Sequence, residues 1–87
     1  MDNGKFVILA KNCVVSYLAE LEDYPKTTHD DVYVVWICKT LQNNKALLAT
    51  NHSGDGLYFE VTYNGDKNEV YFDAYKKVVN KCFDVIE

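Results

Sequence analysis

Leu57-Tyr58-Phe59-Glu60-Val61-Thr62-Tyr63, followed by Asn64-Gly65, is the stretch on which the fold turns. Leu57, Phe59, Val61 and Tyr63 share one parity and Tyr58, Glu60 and Thr62 the other, the period-2 pattern of a strand with one buried face. Asn-Gly tolerates the left-handed backbone of a tight reversal, so a hairpin follows. Val70 and Phe72 belong to the returning strand. A two-residue loop would set Glu60 opposite Glu69, a destabilising like-charge pair. A four-residue loop, 64–67, sets Glu60 opposite Tyr71 and Val61 opposite Val70, and is the expected register.

Upstream, Val32-Tyr33-Val34-Val35-Trp36-Ile37-Cys38 is rich in β-branched and aromatic types and reads as a first strand. Gln42-Asn43-Asn44-Lys45 supplies turn chemistry, and 46–51 returns as a second, antiparallel strand. The first strand is apolar at both parities. Val32, Val34 and Trp36 would face one side, Tyr33, Val35 and Ile37 the other.

The flanking segments carry helical period. Between Asp2 and Tyr24, Phe6, Ala10, Cys13, Tyr17, Leu21 and Tyr24 lie along one line, flanked by Val7, Leu9, Val14 and Leu18. Pro25 ends this helix, because the residue before proline is pushed out of the helical region. After Phe72, Asp73 stands as an N-cap. Ala74, Tyr75, Val78, Val79, Cys82, Phe83, Val85 and Ile86 then fill one half of a second helix reaching about residue 86.

The expectation is an α+β fold in a single domain, 1–87. A four-stranded antiparallel meander is flanked by an N-terminal and a C-terminal helix, in the order α-β-β-β-β-α, with both helices on one face. The other face would carry Tyr58, Glu60, Tyr71 and one set from the first strand. Tyrosines ringed by acids suit a protein interface, since tyrosine buries much area at low entropic cost.

Composition narrows the function classes. Of 87 residues, 48% are hydrophobic and 25% charged, which describes one small folded domain with little volume left for a deep cleft. Nine lysines and no arginine stand against thirteen acids. Glu20, Glu22, Asp23, Asp30 and Asp31 face only Lys26 between positions 20 and 31, enough to account for the whole net charge of −4. Such a chain lacks both the field that draws phosphates and the fork that grips them, so direct nucleic-acid binding is disfavoured and a basic protein partner favoured. The apolar run Phe6–Ala10 is too short for a signal peptide or membrane span, giving an intracellular expectation.

No catalytic constellation assembles from the motifs. Gly54-Asp55-Gly56 lacks the Lys-Ser/Thr of a phosphate loop. Ser53 beside His52 has no orienting third group. Asp55 with Glu60 faintly suggests a metal-dependent nuclease, but Thr62 stands where the lysine belongs. His29, Asp30, Asp31, His52 and Asp55 fall in loops without ligand spacing. Cys13, Cys38 and Cys82 have no Cys-x-x-Cys spacing and are expected as reduced, buried thiols. No cofactor, metal or catalytic residue is assigned.

The segments Val34-Val35-Trp36-Ile37-Cys38-Lys39-Thr40-Leu41-Gln42-Asn43, Lys45-Ala46-Leu47-Leu48 and Tyr58-Phe59-Glu60-Val61-Thr62-Tyr63-Asn64-Gly65-Asp66-Lys67 resemble a family of small phage and prophage proteins of Gram-positive bacteria. The likeness spans nearly the whole chain. It implies a phage-borne protein of the bacterial cytoplasm, similar in kind to the anti-CRISPR inhibitors that occupy surfaces of an RNA-guided nuclease. The resulting expectation is a non-catalytic inhibitor of a type II CRISPR nuclease, met on a basic surface. Glu20, Glu22, Asp23, Asp30, Asp31, Tyr33, Tyr58, Glu60 and Tyr71 are the partner-binding candidates. Two alternatives stand beside it: a phage accessory protein that homodimerises or binds another protein through the sheet, and a small metal-binding protein.

Overall fold

The computed structural model describes residues 1–52, 54 and 56–86. The chain runs as helix α1 (Asn3–Ala19), a short 3₁₀ turn (His29–Asp31), and strands β1 (Val32–Thr40), β2 (Asn43–Thr50), β3 (Leu57–Asn64) and β4 (Glu69–Lys76). The strands form one antiparallel sheet in sequence order, β1-β2-β3-β4, so the expected α+β meander stands. Helix α1 packs on one face of it.

Asp2 opens the helix: its carboxylate accepts the Lys5 N–H at 2.8 Å, satisfying one of the free amides of the first turn. Phe6, Ala10, Val14 and Leu18 form a stripe at four-residue steps that is fully or almost fully buried. They meet Val32, Ala46, Leu48, Phe59 and Val61 from the inner sheet face. At one side of this core Tyr17, Phe59 and Phe72 cluster, with Phe59 and Phe72 nearly parallel at 5.8 Å between centroids. Phe72 is the half-buried residue of β4, the rest of that strand being exposed.

The helix stops at Ala19, five residues short of the expected end. Its last turn holds no basic residue, and Glu20, Glu22 and Asp23 follow directly. Acids at a helix C-terminus oppose its dipole, and Asp23 takes a left-handed φ of 63°. The chain therefore turns before Pro25 requires it to.

The second correction is larger. The expected C-terminal helix from Asp73 is not formed. Asp73, Ala74, Tyr75 and Lys76 instead extend β4, pairing with Glu60, Phe59, Tyr58 and Leu57. Residues 77–86 follow without helix or strand. Full pairing with β3 takes the residues that would have capped and opened the helix. The ten that remain are fewer than the roughly 12–15 at which an isolated helix becomes even marginally stable in water.

Register also differs from expectation. The β3–β4 loop has the expected four residues but occupies 65–68, with Asn64 opposite Glu69. The Asn64 carboxamide oxygen accepts the N–H groups of Asp66 and Lys67 at 3.1 and 3.3 Å and so holds this turn. Glu60 consequently faces Asp73 rather than Tyr71. Lys45, on the neighbouring strand, lies 3.2 Å from Glu60 and offsets part of that repulsion. The β1–β2 turn is Leu41-Gln42, tighter than expected, with Thr40 paired to Asn43. It touches the second turn: a side chain at Gly65 would place its Cβ 2.1 Å from the Gln42 carbonyl oxygen.

Candidate protein-docking face

The open face of the sheet is built by register and by one irregularity. Val34 pairs with Leu48 and Trp36 with Leu47, so Val35 is an extra residue, a β-bulge. The bulge reverses side-chain parity along β1. Val32, Val34 and Ile37 turn to the core, while Tyr33 before it and Trp36 after it both lie on the open face. Strict alternation would place one set or the other there, not both.

Across the open face, Tyr33 pairs with Ala49 and Tyr58 with Tyr75. Next to them run Trp36, Leu47, Glu60 and Asp73, and then Cys38, Lys45, Thr62 and Tyr71. Tyr33, Val35, Trp36, Tyr71 and Tyr75 are each between 42% and 52% exposed, which is unusual for five large side chains on one small sheet. A hollow of about 350 Å³ opens at the end of the face between Tyr33, Ala49, Tyr58, Leu57 and His52. At the opposite end the Tyr71 hydroxyl donates to Glu69, and this bond raises the Tyr71 pKa above the ordinary phenol value.

Four of the expected partner-binding residues, Tyr33, Tyr58, Glu60 and Tyr71, are thus brought together on this face. Tyr75, expected in a helix, joins them here: Tyr71, Asp73 and Tyr75 keep period 2 along β4. The acids are placed elsewhere. Glu20, Glu22 and Asp23 lie in the turn after α1, and Asp30 and Asp31 in the 3₁₀ turn that leads into β1.

Asp31 has a local task. Its carboxylate accepts the Thr28 N–H at 2.9 Å and the Thr28 hydroxyl at 3.2 Å, closing the turn. The backbone bond from Thr28 is the chief reason its pKa lies below the usual aspartate range, with nearby His52 adding to the effect. His52 Nε2 is 3.3 Å from the Thr27 hydroxyl and its ring stands edge-on to Tyr24, while His29 bonds Asn12. These contacts tie the connection to the helix and sheet.

Among the described residues, no three of His, Cys, Asp or Glu come together as metal ligands. Ser53 and Asp55, which carried the nucleophile and nuclease readings, lie outside the described residues. Of the three cysteines expected in the core, Cys13 packs against it and the other two do not. Cys13 is half-buried with its thiol pKa pushed up by desolvation, and Cys38 and Cys82 are exposed because the first stands on the open face and the second beyond β4. Among the described residues no helix is long and apolar enough to cross a membrane.

No curated protein and no solved structure matches this chain. A family model does, over residues 7–85, a span from the first turns of α1 through the whole sheet and beyond it. The chain therefore belongs to DUF6275, a family of unknown function.

Proposed function

We propose that this protein is a non-catalytic binding module that acts by occupying a protein partner through its open sheet face. The observation that carries the reading is the row of half-exposed aromatic side chains, Tyr33, Trp36, Tyr71 and Tyr75, on one unbroken face with Glu60, Asp73 and Glu69 among them. Aromatic anchors within a polar surround are the composition of an interface core and rim.

The narrower reading is a phage-borne inhibitor of host defence in the bacterial cytoplasm, directed at a type II CRISPR nuclease. Its support is the family resemblance of the strand segments and the acid-rich connection between α1 and β1. That connection would complement the basic channel in which such a nuclease holds nucleic acid. The test is target-DNA cleavage by guide-loaded nuclease, with the protein added before or after DNA. The expected result is inhibition that saturates near about one equivalent, requires addition before DNA, and is lost in the double variant Tyr58→Ser/Tyr71→Ser. Absence of inhibition across several such nucleases would remove the narrower reading. Binding of a different protein, abolished by the same double variant, would retain the broader one.

A further inference from the structure

The segment after β4 is the most unusual part of the molecule. The Lys77 N–H still bonds the Gly56 carbonyl at 2.7 Å, holding the chain to the start of β3. Beyond it Val78, Phe83, Val85 and Ile86 are 79–96% exposed and Val79 is 61% exposed. This apolar arm projects from the body: the radius of gyration is 14.8 Å, against about 12 Å for a compact chain of this length. Val78, Val79, Cys82, Phe83 and Ile86 keep helical spacing, a pattern that has value only against a surface.

From these two unpartnered surfaces we infer that the arm of one copy covers the open sheet face of a second copy, giving a reciprocal homodimer. The inference rests on the docking reading above and names the occupant of that face.

Area favours the exchange. Four strands about 4.8 Å apart and about eight residues long at roughly 3.3 Å each present a face of about 500 Å². A stable dimer needs about 800 Å² from each partner, so the two faces alone fall short. Five apolar arm side chains, at roughly 60–120 Å² each, supply the difference. Charge agrees at the root of the arm. Asp73 faces Glu60, whose salt-bridge partner among the described residues is Lys45, and Glu69 lies at the end of the same strand. Lys81 of an incoming arm brings positive charge to this acidic end, while Asp84 lies further along the arm. A twofold exchange satisfies both copies with one set of contacts.

The full chain should be measured by light scattering and sedimentation over a range of concentrations, together with acrylamide quenching of Trp36, the single tryptophan and a member of the open face. The arm variants Phe83→Asp and Ile86→Asp change side chains exposed in the structure and leave the core untouched. The expected result is a species of twice the chain mass that dissociates on dilution, shields Trp36, and becomes monomeric with Trp36 accessible in either variant. Three results would overturn the inference. A monomer at all concentrations with accessible Trp36 would leave the face free for a foreign partner, so the docking reading would survive. A monomer in which Trp36 is shielded and the arm variants unshield it would place the arm on its own sheet. A dimer indifferent to the arm variants but lost in Tyr71→Ser/Tyr75→Ser would be face to face without arms.

Discussion

Asp73 separates two structures of the same segment by the sign of a stability change. As the N-cap of a helix, its replacement by valine would cost about 0.5–2 kcal/mol, because a first-turn amide would lose its acceptor. In the structure Asp73 lies within β4, exposed and directly opposite Glu60. Removing one member of a like-charge cross-strand pair is worth about 0.2–1 kcal/mol, the lower part of that range applying because Lys45 already sits on Glu60. Exchanging aspartate for valine in a strand adds a favourable change on a scale that spans about 1 kcal/mol. The expected effect of Asp73→Val is a gain of about 1 kcal/mol, or roughly 4–8 °C in Tm for a domain of this size. Urea unfolding at micromolar protein, with m values compared, measures it. Asp73→Thr, which keeps the position polar, should share the sign. In about 1 M salt, where the screening length falls to about 3 Å, the charge component should fade and the propensity component persist. A loss of about 0.5 kcal/mol or more in the valine variant would refute the assignment of Asp73 to a strand.

Other expectations can be checked in the same unfolding experiments. Phe59 is fully buried and packs on both Tyr17 and Phe72, so Phe59→Ala should cost about 3–5 kcal/mol; a cost under about 1 kcal/mol would mean that this cluster is not the centre of the core. Leu41 holds a φ of 56° while 86% exposed, so Leu41→Gly should raise stability by up to about 1 kcal/mol through relief of backbone strain without loss of packing. Asp2 and Asp31 have pKa values lowered by backbone N–H bonds, from Lys5 and Thr28 respectively. Their contribution is complete above the ordinary aspartate pKa of about 4 and is lost as pH falls below it, since the unfolded chain takes up protons first. Between pH 6 and pH 3 the double variant Asp2→Asn/Asp31→Asn should lose less stability than the parent; equal losses would count against these two bonds.

Much of the candidate site is legible in the sequence. Tyr58, Glu60 and Tyr71 follow from alternation around a hairpin, and alternation is a property of the backbone itself, so it survives even where the exact pairing is misjudged. Tyr33 and Trp36 could not be placed together, because the bulge at Val35 comes from how β1 meets β2 and leaves no periodic trace in β1 alone. The acids of the α1–β1 connection were conspicuous by charge, yet their geometry serves turns: Asp31 is engaged by Thr28, and Glu20, Glu22 and Asp23 help to end the helix.

The sequence by itself determined the elements whose signal is local: the α1 stripe, the alternation of β3, the presence of the two hairpins though not their exact turns, and the surplus of aromatics. Tertiary structure alone decided where β4 ends and what becomes of the last ten described residues. Ala74–Ile86 carries a helical pattern, but pairing Asp73–Lys76 with Tyr58, Phe59 and their neighbours is a contact between residues up to 19 positions apart. A helix stripe stabilises only when a surface receives it, whereas a strand edge offers backbone hydrogen bonds at once. Within one copy the sheet took the first residues of that pattern, and the remainder was left as an apolar arm.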